Sequence, residues 1–381
     1  MGSLAWSTYV AASKPVVSDD VPPGQTREMW SPTSCTLIYG DRDAVLVDAL
    51  LTIGEGRALA DWVAASGKNL TTIYITHGHG DHFFGASAVL ERFPEARMVA
   101  TGSVVDKMRE QVSEQWIDGF WRTRFPGQIA EHPPIAEPLA DHTIDLEGEQ
   151  LAAVELGHTD TDDTTALCLP SLGLVAAGDT VYNDVHLYLA EAGHGGIQQW
   201  LAALDTISSL QPSTVIAGHK RDGADDSPDN IDRTRRYLQD FEAAAQRTEN
   251  AQDLYEAMIE RYPDRVNRAV VWHSAHALKG LLQPRAILSR PAQAYGPVAA
   301  TGSLFPGRPT GPACYSATAI GKIRSLELRQ QAPAVLLPKG THSGRAGRDL
   351  NPEPGLRARN PSSICVHCHP SARVRTVSEC Q

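Results

Sequence analysis

The sequence predicts an α/β protein built as a four-layer αββα sandwich, and three observations predict it. Strand-like and helix-like segments alternate through the first hundred residues, the α/β pattern. From Thr143 to His219 the order strands, helix, strand comes round again, so two sheets packed face to face with helices outside accommodate both halves. Four strand-like runs end the same way, with potential metal ligands just beyond a strand. Leu70–Ile75 runs into Thr76-His77-Gly78-His79-Gly80-Asp81-His82, Leu151–Leu156 into Gly157-His158, Leu174–Ala177 into Gly178-Asp179, and Thr214–Ala217 into Gly218-His219. Five histidines and two aspartates thus fall at one edge.

Composition bounds the reading. The chain has 381 residues, 42% hydrophobic and 21% charged, with a net charge of −11, which is globular and acidic. The residues from Gln283 onward are basic, so the body before them is more acidic still, unlike a nucleic-acid surface. No apolar run approaches the ~20 residues that span a bilayer. The start, Met1-Gly2-Ser3-Leu4-Ala5-Trp6, has no basic region followed by an apolar one and no Ser/Thr at the sixth position for myristoylation, so a cytoplasmic location is expected. Six cysteines in this length do not make a disulfide scaffold. Cys35 and Cys168 lie in apolar strand-like runs and read as core thiols.

Taken in order, residues 1–29 are polar with scattered prolines and read as an extended arm. The main domain is expected over 30–282. Ser34–Tyr39 and Ala44–Val47 read as strands joined by a Gly40-Asp41-Arg42-Asp43 turn, and Asp48 closes the second. A helix over about 56–66 places Leu59, Trp62 and Val63 on one face. Leu70–Ile75 is apolar and β-branched, a buried strand. Phe83–Leu90 reads as a helix, which puts Asp81 and His82 near an N-terminus whose partial positive charge keeps a carboxylate ionised. Arg97–Ala100 is another short strand. Residues 103–125 read as a long helix or helix pair with Trp116, Phe120, Trp121 and Phe125 mostly on one side. These rings are either core or an aromatic wall over the ligand edge. Prolines mark 126–141 as a loop. Thr143–Leu146 with Gln150–Leu156, and Thr165–Leu169 with Leu174–Ala177, read as hairpins. Past Asp179, the positions Tyr182, His186 and Tyr188 are candidates to line a pocket, with exposed loop positions as the alternative. Ile197–Leu210 is an amphipathic helix, and 229–262 reads as helical with Pro263 as its stop. The final stretch, 283–381, holds 12 of the 25 prolines and much arginine, the composition of a low-order tail. Its Cys365-Val366-His367-Cys368-His369 matches the haem-attachment spacing; a zinc-binding tail and chance are the alternatives.

The pattern H-x-H-x-D-H, then a distant His, Asp and His, resembles the metallo-β-lactamase superfamily of metal-dependent hydrolases over about residues 30–280. The resemblance implies that His77, His79 and His158 hold one cation, that Asp81, His82 and His219 hold a second, and that Asp179 bridges them, with Asp48 supporting the ligands from behind. Two zinc ions suit this imidazole and carboxylate set, with manganese or iron as substitutes. No Cys or Ser stands at the position of Asp179, so the chain looks less like antibiotic-degrading members than like lactonases, thioesterases and small lactamases. In such a site two cations lower the pKa of a shared water. Asp81, Tyr182 and His186 are the candidates to move a proton to the leaving group. Lys220 is a candidate to hold a substrate anion, a solvated lysine being the alternative.

The function implied is the opening of a small cyclic amide or ester. The stretches 157–164 and 178–183 look similar to fungal members, among them lactamases that act on plant benzoxazolinones. A glyoxalase II-like thioester hydrolase is the alternative, disfavoured by the acid-rich composition of 221–260. A catalytically weak metal-binding member of the fold is a second alternative. The expected partner is a small-molecule substrate, with no nucleic acid and no membrane.

Overall fold

A computed structural model describes residues 4–193 and 195–280. The tail expected over 283–381, with its Cys365 to His369 run, lies outside the described residues. The first sheet holds six strands in spatial order β1 (Ala5–Ala11), β2 (Thr33–Tyr39), β3 (Asp43–Val47), β4 (Asn69–Tyr74), β5 (Arg97–Ala100) and β6 (Glu137–Pro138). The second holds five, β7 (Thr143–Leu146), β8 (Glu149–Gly157), β9 (Thr164–Leu169), β10 (Leu174–Ala176) and β11 (Thr214–Ile216), with β11 at one edge and β7 at the other.

The period-2 alternation of these strands decides the layering, because neighbouring side chains point to opposite faces. In the first sheet Leu37, Leu46 and Ile73 pack outward against Leu59 and Val63 of α1 (Ile53–Ala65), Val89 of α2 (Ala86–Arg92), and Val104 and Met108 of α3 (Gly102–Gln111). Their neighbours Ile38, Val45, Val47 and Tyr74 point inward and meet Leu151, Leu167, Leu169, Leu174 and Ile216 of the second sheet. On the far side Ala166, Cys168, Val175 and Val215 pack against Trp200, Leu204 and Ile207 of α4 (Gly196–Ser209), and Leu238 and Phe241 of α5 (Asp229–Arg247) join the same cluster. Three apolar interfaces separate four layers, as the αββα expectation requires. Cys35 and Cys168 are buried and unpaired. No helix among the described residues is long and apolar enough to cross a membrane.

Local chemistry sets the element ends. Thr52 caps α1 by accepting from the Glu55 amide, while Glu55 accepts from the Thr52 amide, a reciprocal capping box. The Gly40–Asp43 turn is clamped by Glu147, whose carboxylate accepts from the Asp41, Arg42 and Asp43 amides. Those donors pull the Glu147 carboxyl down to about 2.

Four expectations need correction. The presumed arm starts the first sheet: β1 pairs antiparallel with β2 from Ala5↔Tyr39 to Ala11↔Thr33. Its Trp6-Ser7-Thr8-Tyr9-Val10 core is aromatic and β-branched, and so fits a pleated, half-buried surface; the prolines all lie downstream. The helix expected from Phe83 begins only at Ala86, after a short 3₁₀ turn over Gly80–His82. Residues 103–125 break after α3 into single turns, one of them a π-turn at Ile117–Trp121, which widens the backbone there. The 229–262 helix is two, α5 and α6 (Ala251–Arg261), broken at Thr248–Asn250, where Asn250 caps α6 by accepting from the Asp253 amide. The last described helix is α7 (Arg268–Leu278).

Candidate metal centre

The ends of β3, β4, β8, β10 and β11 meet at one edge of the sandwich. The Asp179 carboxylate lies at the centre, with Oδ1 3.2 Å from His82 Nε2 and Oδ2 3.0 Å from His219 Nε2. Asp81 Oδ2 is 3.5 Å from His219 Nε2 and 3.9 Å from His82 Nε2. On the other side His79 Nδ1 is 2.8 Å, and His77 Nε2 3.6 Å, from Asp160 Oδ2. Three overlapping triads follow, His77-His82-Asp179, His77-His79-Asp160 and Asp81-His82-His219, each with its donor atoms within 4.8 Å of one another.

The ring orientations are held from behind. Asp48 Oδ2 accepts from His82 Nδ1 at 2.9 Å, and the Pro32 carbonyl accepts from His219 Nδ1 at 2.8 Å. Thr76 donates its hydroxyl to Asp48, so its oxygen is left to accept from His77 Nδ1 at 3.1 Å. Each of these imidazoles is anchored through Nδ1 and turns Nε2 towards the cluster, the arrangement that partners behind a metal ligand impose. Trp30 donates from Nε1 to Asp81 Oδ2 at 3.0 Å. Asp81 is thus oriented by an indole and not by a helix terminus. Two glycines make room: Gly178 holds φ +52°, and a Cβ on Gly218 would overlap the Asp179 carboxylate.

The donor set fits a pair of cations. His77 Nε2, His82 Nε2, Asp179 Oδ1 and Asp160 Oδ2 are buried with no hydrogen-bond partner, a costly state for polar atoms that a shared cation relieves. Charge follows the same logic: burial opposes ionisation of Asp179, yet His219 and His82 hold its carboxyl well below the carboxylate range.

A pocket with a cavity of about 280 Å³ opens onto this cluster. Trp116, Phe120 and Trp121 line it as the expected aromatic wall, joined by Trp30 and Tyr188. Successive rings stack edge to face, Trp116–Phe120 at 5.6 Å, Phe120–Trp121 at 5.0 Å and Trp30–Trp121 at 5.4 Å. Phe125 is buried behind Trp30, which is core.

The family model of the metallo-beta-lactamase superfamily matches residues 29–219, half of the chain. The chain belongs to this superfamily. Among relatives, the hydroxyacylglutathione hydrolase of Synechococcus sp. (strain JA-3-3Ab) is 30% identical over 174 residues, 45% of this chain and 56% of that protein. The enzyme of the same name from Francisella tularensis subsp. holarctica (strain LVS) is 30% identical over 102 residues, 25% and 39%. Bacillus subtilis (strain 168) YobT, an uncharacterised protein, is 32% identical over 68 residues, 18% and 29%. The chain therefore spans 29% to 56% of the length of these relatives. A solved metallo-beta-lactamase family protein from Thermus thermophilus superposes with a TM-score of 0.48 at 20% identity, covering 71% of this chain and 91% of that one.

Against the metallo-β-lactamase pattern, His77, His79, Asp81, His82, Asp179 and His219 converge, and His158 does not join them. Its Nδ1 is held by Asp162 at 2.7 Å, and its Nε2 is directed at Gly196, the first residue of α4. Tyr182 reaches the site, where its hydroxyl donates to Asp179 Oδ2 at 2.7 Å. Tyr188 also lines the pocket, 5.8 Å from the His79 ring. His186 points away: it is fully buried and hydrogen-bonded through Nδ1 to the Tyr237 hydroxyl at 2.9 Å. Lys220 is buried too, its ammonium paired with Asp226 at 2.6 Å. Sequence reasoning missed Asp160, Trp30, Glu191 and Arg124. Asp160 is two residues past an obvious histidine in the acid-rich Asp160-Thr161-Asp162-Asp163 run and carried a readable signal; the other three come from segments with no motif.

The placement of His186 has a measurable consequence. Burial, followed by the charges of Arg265 and Arg268, pushes its imidazole down to about 3. The unfolded chain takes up this proton below about pH 6.5 and the folded chain does not, so stability is lost as pH falls from about 6.5 towards 3. At pH 5 the loss from this group is about 2 kcal/mol. Thermal melts at pH 5 and 7.5 are expected to differ less in His186→Gln than in the parent by that amount; an unchanged difference would remove His186 as the cause.

Proposed function

We propose that this chain is a dinuclear-metal hydrolase that opens a small cyclic amide or ester, such as a lactam or lactone of the benzoxazolinone type. The observation that carries the reading is the set of buried, unpartnered donor atoms facing Asp179, next to an aromatic-walled pocket. In this reading His77 and His79 would hold one cation and Asp81, His82 and His219 the other, with Asp179 serving both groups, zinc as the first choice and manganese or iron as substitutes. Bound there, the cations supply a water acidic enough to ionise near neutrality and an electrophile for the substrate carbonyl.

The chain's own residues do the rest. Asp179 is kept anionic by two imidazoles, and Tyr182 fixes its Oδ2. Asp81, held by Trp30 through Oδ2, lines the pocket and is placed to carry a proton towards a leaving nitrogen or oxygen. The Trp30, Trp116, Phe120 and Trp121 rings, tilted edge to face, give the pocket an apolar wall that excludes water and packs against a planar ring. Buried, unpaired Cys35 and Cys168 suit a reducing, cytoplasmic setting.

Arg124 gives the pocket a polar end. Its guanidinium lies over the Phe120 ring at 4.0 Å and lines the cavity; among the described residues no carboxylate pairs with it. Burial draws its pKa down, with Glu28 opposing. Arg124→Met is expected to raise KM about tenfold for substrates bearing an acidic or carbonyl substituent on the ring and to leave kcat nearly unchanged, the signature of lost uniform binding. Steady-state kinetics on substituted and unsubstituted analogues check this; equal KM values for both would refute the role.

The hydroxyacylglutathione hydrolase relatives favour a second reading, a thioester hydrolase. Against it, Lys220 is committed to Asp226. A panel of lactones, lactams and thioesters, run with and without a chelator, decides between the two. Two metals with no turnover on any class would leave only the metal-binding member with weak catalysis.

A further inference from the structure

We propose that Asp160, and not His158, is the third protein donor to the cation held by His77 and His79. The proposal rests on the dinuclear reading above. His158 is the residue that directly follows β8, but the chain turns out of the sheet before it gets there. The β8–β9 register slips between Glu155 and Gly157, and Gly157 adopts φ +74°. His158 is thereby turned aside, its Nδ1 taken by Asp162 and its buried, unpartnered Nε2 aimed at Gly196, where a Cβ would come within 2.6 Å. The bare glycine at the start of α4 is what admits the ring.

Two residues on, the chain has come back over the cluster. Asp160 is fully buried. Thr159 donates its hydroxyl to Asp160 Oδ1 at 2.9 Å, which fixes the carboxylate and leaves Oδ2 turned to His79 Nδ1 and His77 Nε2. Oδ2 has no aligned hydrogen-bond partner, and neither has His77 Nε2. His79 is steadied from outside by Glu191, whose Oε1 lies 3.2 Å from Nε2 and whose Oε2 accepts from Thr161 at 2.8 Å. Thr161 belongs to the same turn as Asp160, so one loop both supplies the carboxylate and orients the neighbouring imidazole. The resulting set is four imidazoles and three carboxylates. Exchanging an imidazole for a carboxylate makes the first position harder and more anionic, which raises its preference for manganese or iron relative to zinc.

The test is metal content of the purified full-length chain by elemental analysis, with cobalt(II) absorption spectra of the reloaded proteins. The parent is expected to hold two metals. Asp160→Asn, which keeps the shape and removes the charge, is expected to hold one, or to lose affinity for one by about 10–100-fold. His158→Gln is expected to keep two with chelator resistance near that of the parent. Loss of a metal in His158→Gln, or two metals retained in Asp160→Asn with chelator resistance equal to that of the parent, overturns the proposal. A parent that binds no metal overturns the dinuclear reading instead. If Asp160→Asn does not fold, Asp160→His serves: it is expected to hold two metals with its zinc-over-manganese preference raised about tenfold, and an unchanged preference overturns the assignment.

Discussion

Asp179→Asn is expected to lower kcat/KM by on the order of 10²–10³-fold, about 3–4 kcal/mol of transition-state stabilisation, and to reduce the bound metal below two per chain. Asparagine has nearly the same shape, so packing survives, but the charge that serves both sides of the cluster is gone. Asp179 Oδ1 faces His82 Nε2 and Oδ2 faces His219 Nε2 and the Tyr182 hydroxyl. An amide can offer one oxygen to one side and must turn its NH₂ to the other, where a bare imidazole nitrogen or the phenol oxygen becomes its acceptor. Elemental analysis and turnover of whichever panel substrate the parent accepts read the two effects together. Two metals with near-parental turnover in the variant would mean that Asp179 does not bridge, and its central role in the cluster would fall.

Asp48→Asn is expected to weaken metal binding about 10–100-fold without touching the ligand set itself. Asp48 is buried, sits at φ +61° beyond β3, and accepts from the Thr76 amide, the Thr76 hydroxyl and His82 Nδ1. Its carboxylate can only accept, which forces the His82 proton onto Nδ1 and leaves Nε2 bare. An asparagine NH₂ facing Nδ1 reverses the tautomer and puts a proton where a lone pair is needed. A strained positive φ makes this position tolerant of Asn, so folding is expected to persist with a loss of about 1–3 kcal/mol from the disrupted network. Competition against a chelator measures the affinity. Equal affinity in the parent and the variant would show that the His82 tautomer is set by something other than Asp48.

Much of this protein is legible before any coordinates. The alternation in Thr36-Leu37-Ile38 and Ala44-Val45-Leu46-Val47 fixes which side chains face α1 and α2 and which face the second sheet, because a strand exposes its two faces with strict period 2. Local chemistry also reaches far into the site. His77, His79, Asp81 and His82 share one strand-to-turn junction, and Asp179 and His219 each follow a glycine at a strand end, so once the strands are placed these six side chains must arrive together.

What fails is what depends on partners far away in the chain. β1 is a strand because β2 offers it an unpaired edge, and nothing within residues 1–29 announces that edge. The single helix read over 229–262 breaks at Thr248–Asn250 because Asn250 caps a second axis, which helix propensity does not register. His186 reads like a pocket residue because it follows a ligand, yet Tyr237 of α5 takes it into the core.

By itself, then, the amino-acid order determined the four layers, the edge and six converging donors, since each follows from periodicity or from a turn of a few residues. Tertiary structure alone decided which of His158 and Asp160 faces the cluster, which indole holds Asp81 and where Arg124 ends up. Those outcomes hang on a register slip between β8 and β9 and on contacts such as Trp30 with Asp81, 51 residues apart, and distances of that kind are set by packing, which no local pattern encodes.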